Sequence, residues 1–485
     1  MGRILPRTTP ESVGIPSATM SALLDDFGSN RRGVHSLMIV RRGQVAAEGW
    51  WAPNGPEAGQ MLFSLSKAFT STAVGMAIAE GRFRIDDTVI SFFPDETPGE
   101  VSPNLAAMTV RHLLTMSAGH SPATVGAVMR FSGDDWVHSF LSLPVADPPG
   151  SRFVYSSAAS YMLSAIVQKT TGQKLVDYLR SRLFEPLGIP RPAWEEDPHG
   201  INVGGYGLSV RTEDVAAFGQ LYLQEGRWKG RTLVDPSWVA EATSLQIQTG
   251  PDPNSDWAQG YGYQFWRSRH GYRCDGAFGQ YCIVVPEHDL VVAITSGSDR
   301  MHGILEALWN VLLPGLVAGE LPPDPAAQRA LALRLGSLRL ETPSGGASSP
   351  VESTLHGAEY RFDPNALGVR SVRFGFDAAG CTLEFGWESR PAVRRLSFGS
   401  GEWRKGGSNL APEWRGAPLA ACGAWPRPEQ LDVDVCLYAT PFRQRLSFEF
   451  GFGASSLRLR VQRTPLSAPI ETGVLTASRL PTRRP

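Results

Sequence analysis

Ser64 and Lys67 stand three residues apart in Phe63-Ser64-Leu65-Ser66-Lys67-Ala68-Phe69-Thr70-Ser71-Thr72-Ala73-Val74-Gly75-Met76-Ala77, the one S-x-x-K pair in the chain. Phe69, Ala73, Met76 and Ala77 give this stretch an apolar stripe at helical period, and Ser64 stands where such a helix begins. The spacing then puts both side chains on one face. An amine near the positive end of a helix dipole loses its charge readily once buried, and can take a hydroxyl proton. The pair alone is incomplete. Covalent chemistry on a carbonyl also needs a proton relay to the leaving atom and a second donor for the oxyanion.

Two stretches offer these groups. Phe153-Val154-Tyr155-Ser156-Ser157 lies at a bend after Pro148-Pro149-Gly150-Ser151 and just before a helix, where a phenol can project into a cleft. Arg273-Cys274-Asp275-Gly276-Ala277-Phe278-Gly279-Gln280 opens a strand with glycines that permit close backbone approach. Taken singly, each reads as well as a tyrosine packed under a loop or a glycine bulge.

The elements that must hold them follow from patterning. His35–Val40 and Val45–Trp51 read as strands joined by a turn at Arg41–Gln44. From Gly81 to about Gly250 the signals are mainly helical: 109–114, 160–169, 175–184 and 212–223. Strands return at 261–266, 279–285 and 290–295, with Pro286–Asp289 as a turn, and a helix over 302–313 follows. This order, strands and helix, helical insertion, strands and helix, predicts an α+β domain with an antiparallel sheet covered by its terminal helices. Beyond it the texture changes. Pro-rich residues near 320 and the Gly/Ser run at 344–350 read as a linker, and short alternating runs at 371–376, 382–387, 431–438, 443–450 and 456–461 predict an all-β sandwich or barrel. The domains expected are 1–320, a linker 321–350, a β-rich domain 351–470 and a tail 471–485. Trp387, Trp403, Trp414 and Trp425 read as core or rim aromatics.

A net charge of −1 over 485 residues leaves no bulk footprint for nucleic acid or an anionic membrane. Residues 1–7 carry no signal-peptide pattern, and no segment is apolar enough to span a bilayer. Five cysteines, Cys274, Cys282, Cys381, Cys422 and Cys436, have no CxxC spacing, which argues against a disulfide framework and a zinc knuckle. A reduced, cytoplasmic setting is expected. A G-x-S-x-G elbow and an H-E-x-x-H pattern are both missing, which disfavours an α/β-hydrolase and a metallohydrolase.

Taken together and in this order, the three stretches resemble the serine β-lactamase and penicillin-binding-protein superfamily, most closely its class C-like, esterase-type branch. Val110-Arg111-His112-Leu113-Leu114-Thr115-Met116-Ser117-Ala118-Gly119-His120, Phe184–Ile189 and Gly204–Asp214 are similar to segments that the superfamily carries around its second box. The resemblance spans roughly residues 10–315 and implies a β-lactamase/transpeptidase-like sheet flanked by helices. It implies Ser64 as acylated nucleophile, Lys67 as base or part of a base pair, and Tyr155 as proton shuttle. The backbone N–H groups of Ser64 and Ala277 would form the oxyanion hole, with Ser157, Cys274, Asp275 and Gly276 toward the substrate; no metal or cofactor is implied.

Two departures bear on substrate. Penicillin-recognising members usually begin the third box with a cation that holds a substrate carboxylate, and Cys274 stands there. Such a charge-assisted hydrogen bond is worth about 1.5–3 kcal/mol. Ser157 stands where asparagine is frequent. Neutral esters or amides of small molecules are therefore the expected substrates, with weak β-lactamase activity left open. Acyl transfer to another acceptor, including peptide cyclisation, and a non-turnover acylated binder or sensor remain alternatives. The oligomeric state is not legible.

Overall fold

The computed structural model describes residues 3–124, 135–377, 380–388, 390–407, 417–465 and 472–480. They fall into two compact units, one of residues 1–49, 59–296 and 300–335, the other of 50–58, 297–299 and 336–485.

In the first unit α1 (Ser17–Ser29) buries Met20, Leu23, Leu24 and Phe27, a four-residue stripe at helical spacing. Asp25 and Ser29 lie on its exposed face, whereas Ser17 at its start is buried. The hairpin β1 (Val34–Arg41) and β2 (Gln44–Trp50) turns through Arg42 and Gly43, both at positive φ. Next comes α2 (Ser66–Ala79), buried at every position from Ser66 to Ala77. A helix enclosed on all sides belongs to the middle of a layer. Gly75 is needed there, because a Cβ would lie 2.5 Å from the Trp238 ring.

The helix α3 (Ser157–Thr171) starts where Ser156 Oγ accepts the Ala159 N–H at 3.2 Å, and it ends at left-handed Gly172. In α4 (Thr212–Leu223) Asp214 accepts the Arg211 N–H at 2.8 Å. Gly219 lets α4 lie close on the sheet, since a Cβ would meet Val291 at 2.6 Å and Cys282 at 2.7 Å. Four strands follow: β3 (Trp266–Arg267), β4 (Tyr272–Gly276), β5 (Gln280–Val285) and β6 (Leu290–Ser296). The unit continues through α5 (Met301–Ala307) and α6 (Pro325–Gly336), the latter inside the span read as a linker.

The six-stranded sheet runs β2-β1-β6-β5-β4-β3, with antiparallel pairing of β1 to β6, β6 to β5, β5 to β4 and β4 to β3. Every residue of β1, β5 and β6 is buried, as expected of strands covered on both faces. The strand expected over 261–266 is regular only at its end: Gln264 takes φ 67, and the irregular path brings the Tyr261 and Trp266 rings to 4.9 Å. Among the described residues no helix is long and apolar enough to cross a membrane.

The second unit contains β7 (Glu359–Phe362), β8 (Val369–Asp377), β9 (Gly380–Trp387), β10 (Arg390–Ser400), β11 (Arg404–Gly407), β12 (Pro418–Arg427), β13 (Gln430–Cys436), β14 (Arg443–Phe450), β15 (Ser456–Thr464) and β16 (Thr472–Arg479). Their order is β10-β9-β8-β7-β16-β15-β14-β13-β12-β11. A parallel contact, Gly399 with Cys422 and Ser400 with Gly423, joins β10 to β12 and closes the barrel. Tyr360, Phe374, Leu383, Val433, Phe448 and Leu459 lie in its core, as does Trp425. Most of the span read as a tail is in fact β16, paired to β7 on one side and β15 on the other. Its alternation is weak because Thr, Gly, Ala and Ser fill most positions. Trp414 lies outside the described residues.

Candidate active site

Ser64 sits in a 3-10 turn, Phe63–Leu65, that leads directly into α2. Phe63 holds φ 50, a backbone region that costs an L residue about 1–3 kcal/mol. Its carbonyl is fixed there by the Ser66 N–H and by Ser66 Oγ, which donates at 2.6 Å. In a trans peptide the N–H points opposite the C=O. Anchoring the Phe63 carbonyl therefore turns the Ser64 N–H to the other side of the turn.

The second peptide is anchored in the same way. Gly276 ends β4 against this turn, and a Cβ on it would lie 2.0 Å from the Leu62 carbonyl oxygen and 3.1 Å from Phe63 Cβ. Only glycine lets the strand come so close. The Gly276 carbonyl accepts the Gly279 N–H at 3.2 Å, which directs the Ala277 N–H away from the β4–β5 turn. Gln280, almost fully buried, braces the far side of Ala277: Nε2 donates to the Ala277 carbonyl at 3.1 Å and to that of Ser296 at 2.7 Å. Sequence reasoning did not single out Gln280; its place directly after Gly279 at the head of a buried strand was the available signal.

Lys67, 1 % exposed, donates to Ser64 Oγ at 2.9 Å, Ser157 Oγ at 3.0 Å and the Gly205 carbonyl at 2.6 Å. Burial pushes the amine down to about 7, against the opposing pull of Asp275. Near neutral pH the ammonium and the free amine therefore coexist. The free amine has a lone pair, and the Ser64 hydroxyl can donate to it. Gly205 is a partner that the sequence did not assign; the glycine-rich run Gly204-Gly205-Tyr206-Gly207, which permits close backbone approach, was the available signal. A Cβ on Gly205 would lie 2.6 Å from the Ser157 carbonyl oxygen.

Tyr155 is half-buried beside them, its ring 4.8 Å from Lys67 Nζ. Burial and the nearby Asp275 raise its hydroxyl well above the usual phenol range, opposed by its hydrogen bond with Ser64 and by Arg273. The phenol is thus neutral at ordinary pH and able to give a proton. Its ring stacks on Trp266 at 5.7 Å within a cluster that includes Phe153, Tyr261 and Trp257. Phe153, Val154, Tyr155, Pro122 and Arg152 line an open cavity of about 370 Å³.

Along β4 the side chains alternate. Cys274 is buried toward Cys282, directly opposite on β5, and burial raises its thiol far above the usual range. Cys282 in turn donates to the Val215 carbonyl of α4 at 3.5 Å, so this thiol pair faces the helical layer. Arg273 and Asp275 take the other face and pair at 2.8 Å, 0 % and 5 % exposed in their side chains. Arg273 also donates to the carbonyls of Asp256 and Arg267 and to Ser268, and its guanidinium lies 4.6 Å over the Trp257 ring. The structure thus brings together Ser64, Lys67, Tyr155, Ser157, Gly276 and Ala277 with Asp275 alongside, while the Cys274 thiol turns away. Among the described residues no group of His, Cys, Asp or Glu is arranged to hold a metal ion.

A serine held by a buried lysine, with a tyrosine and a strand-end glycine beside it on an antiparallel sheet, is an arrangement able to carry acyl transfer through a serine ester. Residues 20–310 match the family described as Beta-lactamase, and the chain belongs to that family. It is 27% identical over 311 residues to Penicillin-binding protein 4 of Amycolatopsis lactamdurans, which covers 54% of this chain and 80% of that one. It is also 27% identical over 307 residues to the 6-aminohexanoate-dimer hydrolase of Paenarthrobacter ureafaciens, covering 58% of this chain and 76% of the relative. The solved structure of EstCE1, a hydrolase with promiscuous acyltransferase activity, shares the fold with a TM-score of 0.50 at 17% identity, over 60% of this chain and 98% of that one. The protein is a serine hydrolase of the β-lactamase type.

Proposed function

We propose that the protein hydrolyses neutral esters or amides of small substrates through an acyl-enzyme on Ser64. The observation that carries this reading is the buried Lys67 amine, 2.9 Å from Ser64 Oγ and brought to about 7. The free amine takes the Ser64 proton as Oγ attacks the carbonyl carbon. The Ser64 and Ala277 N–H groups receive the oxyanion. Tyr155 gives its proton to the departing alcohol or amine, and the Lys67 ammonium restores it. Water then enters by the same relay in reverse, releasing the acid. Lys67 is the base in this scheme because its amine is free near neutral pH, whereas the Tyr155 phenol keeps its proton.

Neutral substrates follow from the surroundings of the third box. The Arg273 guanidinium is committed to Asp275 and to backbone carbonyls, and Cys274 offers no charge. The similarity to a relative named 6-aminohexanoate-dimer hydrolase supports a hydrolase rather than a permanent acyl binder.

The test is intact-mass spectrometry during exposure to p-nitrophenyl acetate. A transient acetyl adduct that maps to Ser64, with continued product release, is the expected result. The kcat/KM for this ester should rise with pH through about 7, as the Lys67 ammonium loses its proton. A permanent adduct without turnover would sink the hydrolase reading, and so would turnover with no Ser64 adduct under rapid quench. Tyr155→Phe removes the relay and is expected to lower kcat by about 10²–10³-fold. The adduct should then become long-lived, because deacylation needs the same proton path.

A further inference from the structure

Asp275 is a carboxylate in the strand that borders the reaction centre, and the acyl-enzyme scheme gives it no step of its own. It is 6 % exposed, two residues from Ala277 and next to the Gly276 that abuts the Ser64 turn. Arg273 Nε holds it at 2.8 Å, and Arg273 is itself tethered to three further acceptors and covered by Trp257. These contacts fix where the carboxylate sits beside the reaction centre. We propose that Asp275, clamped by Arg273, is a positioning residue whose charge sets the pH range in which Lys67 and Tyr155 can work on Ser64. The inference rests on the acyl-enzyme reading and deepens it.

The physical case runs through three charges. Gly276, the next residue, abuts the turn that carries Ser64, and Arg273, which holds Asp275, lies 5.6 Å over the Trp266 ring that stacks on Tyr155, so the carboxylate sits beside the reaction centre and its charge acts on both Lys67 and Tyr155. A buried negative charge stabilises an ammonium and disfavours a phenolate. It therefore moderates the loss of the Lys67 proton that burial alone would produce, and it keeps the proton on Tyr155. Burial raises the Asp275 carboxyl, and Arg273 draws it back toward the ionised form. The other groups that face this pair are few. Tyr281 stands opposite Asp275 on β5, and its hydroxyl donates to the Met301 carbonyl. Tyr261 lies in the loop before β3 and feels the same carboxylate. Asp256 meets Arg273 through its carbonyl, while its carboxylate is held by Arg269 at 3.1 Å and Trp309 at 2.9 Å. In the Arg273–Asp275 pair the negative end is the one that acts on Lys67, and on Tyr155 it outweighs the opposing guanidinium.

The test is the pH dependence of kcat/KM for p-nitrophenyl acetate in Asp275→Asn, a change that keeps an acceptor for Arg273. Without the carboxylate, Lys67 holds its proton less well and Tyr155 gives its proton up more easily. Both limbs of the profile should move toward acid by about half a unit or more, roughly a threefold gain in relative rate on the acid side. A purely structural carboxylate would lower Tm and leave the limbs in place. A folded Asp275→Asn enzyme whose limbs coincide with wild type overturns the inference. The double variant Arg273→Met with Asp275→Leu covers the case in which a lone buried arginine unfolds the single one: it removes both charges, so the acid limb set by Lys67 should still move toward acid, while the Tyr155 limb moves less because the guanidinium that opposed Asp275 is gone too. An unmoved acid limb there overturns the inference equally. The two readings fail separately: an unmoved profile with an intact Ser64 adduct sinks only the role of Asp275, whereas turnover without a Ser64 adduct in wild type sinks the acyl-enzyme scheme beneath it.

Discussion

Ser64→Ala is expected to abolish ester turnover, on the order of 10⁵-fold in kcat/KM, while circular dichroism and Tm stay close to wild type. The size of the effect follows from its position. Among the described residues Lys67 meets two hydroxyls, and in the proposed scheme Ser64 is the one beside the two N–H groups: Ser157 Oγ also meets Lys67, at 3.0 Å, but it lies at the start of α3. The small cost in stability also follows, because Ser64 is partly exposed and the helix behind it is held by its buried neighbours. Wild-type rates in the Ser64→Ala enzyme, measured with p-nitrophenyl esters, would remove Ser64 from the chemistry.

Lys67→Met should lose activity by about 10³–10⁴-fold and yet leave the protein as stable as wild type or more so. Burial is the dominant cause of the lowered Lys67 amine, so the folded state carries a desolvation cost that an apolar side chain of similar length does not, and this offsets the hydrogen bonds lost to Ser64, Ser157 and Gly205. The sign of the pH effect is set by the depressed amine. Folded Lys67 gives up its proton at about 7 and the unfolded chain near 10.5, so between those values the unfolded state binds the extra proton. Wild-type stability therefore rises with pH across that window and carries the full burial penalty below it. In Lys67→Met this slope should vanish from the urea midpoint measured against pH. A variant that is strongly destabilised at pH 7 and keeps the wild-type slope would contradict the buried-base picture.

Much of the site was legible because its chemistry dictates residue type and spacing. A lysine one helical turn from a serine, a tyrosine before a helix and a glycine at a strand end are local features, and the structure brings them together. Thr212–Leu223, Leu290–Ser296 and Arg443–Phe450 were also readable, since long apolar or alternating runs leave little choice of element. What escaped depended on distant partners. The Gly205 carbonyl reaches Lys67 across 138 residues, and a backbone acceptor has no side-chain signature. Gln280 reads as any polar residue until its strand is paired. In the barrel, Pro418–Arg427 and Thr472–Arg479 are built largely from Ala, Gly, Cys, Thr and Ser, residues with little alternation, and they become strands through their neighbours on both sides. The phase of β4 was the subtlest point. Cys274 and Asp275 are adjacent in sequence, and only the pairing with β5 decides which of them looks toward α4.

That phase has an evolutionary consequence. A lysine introduced at 274 would not recreate a carboxylate-binding cation, because it would enter the layer occupied by Cys282 and meet the carbonyl side of α4. The neighbouring position is closed too, since a cation at 275 would face the immobile Arg273. A single codon change to lysine at either position would therefore direct its ammonium against α4 or against Arg273, and the alternation of one five-residue strand, rather than residue type alone, sets what one substitution can add here.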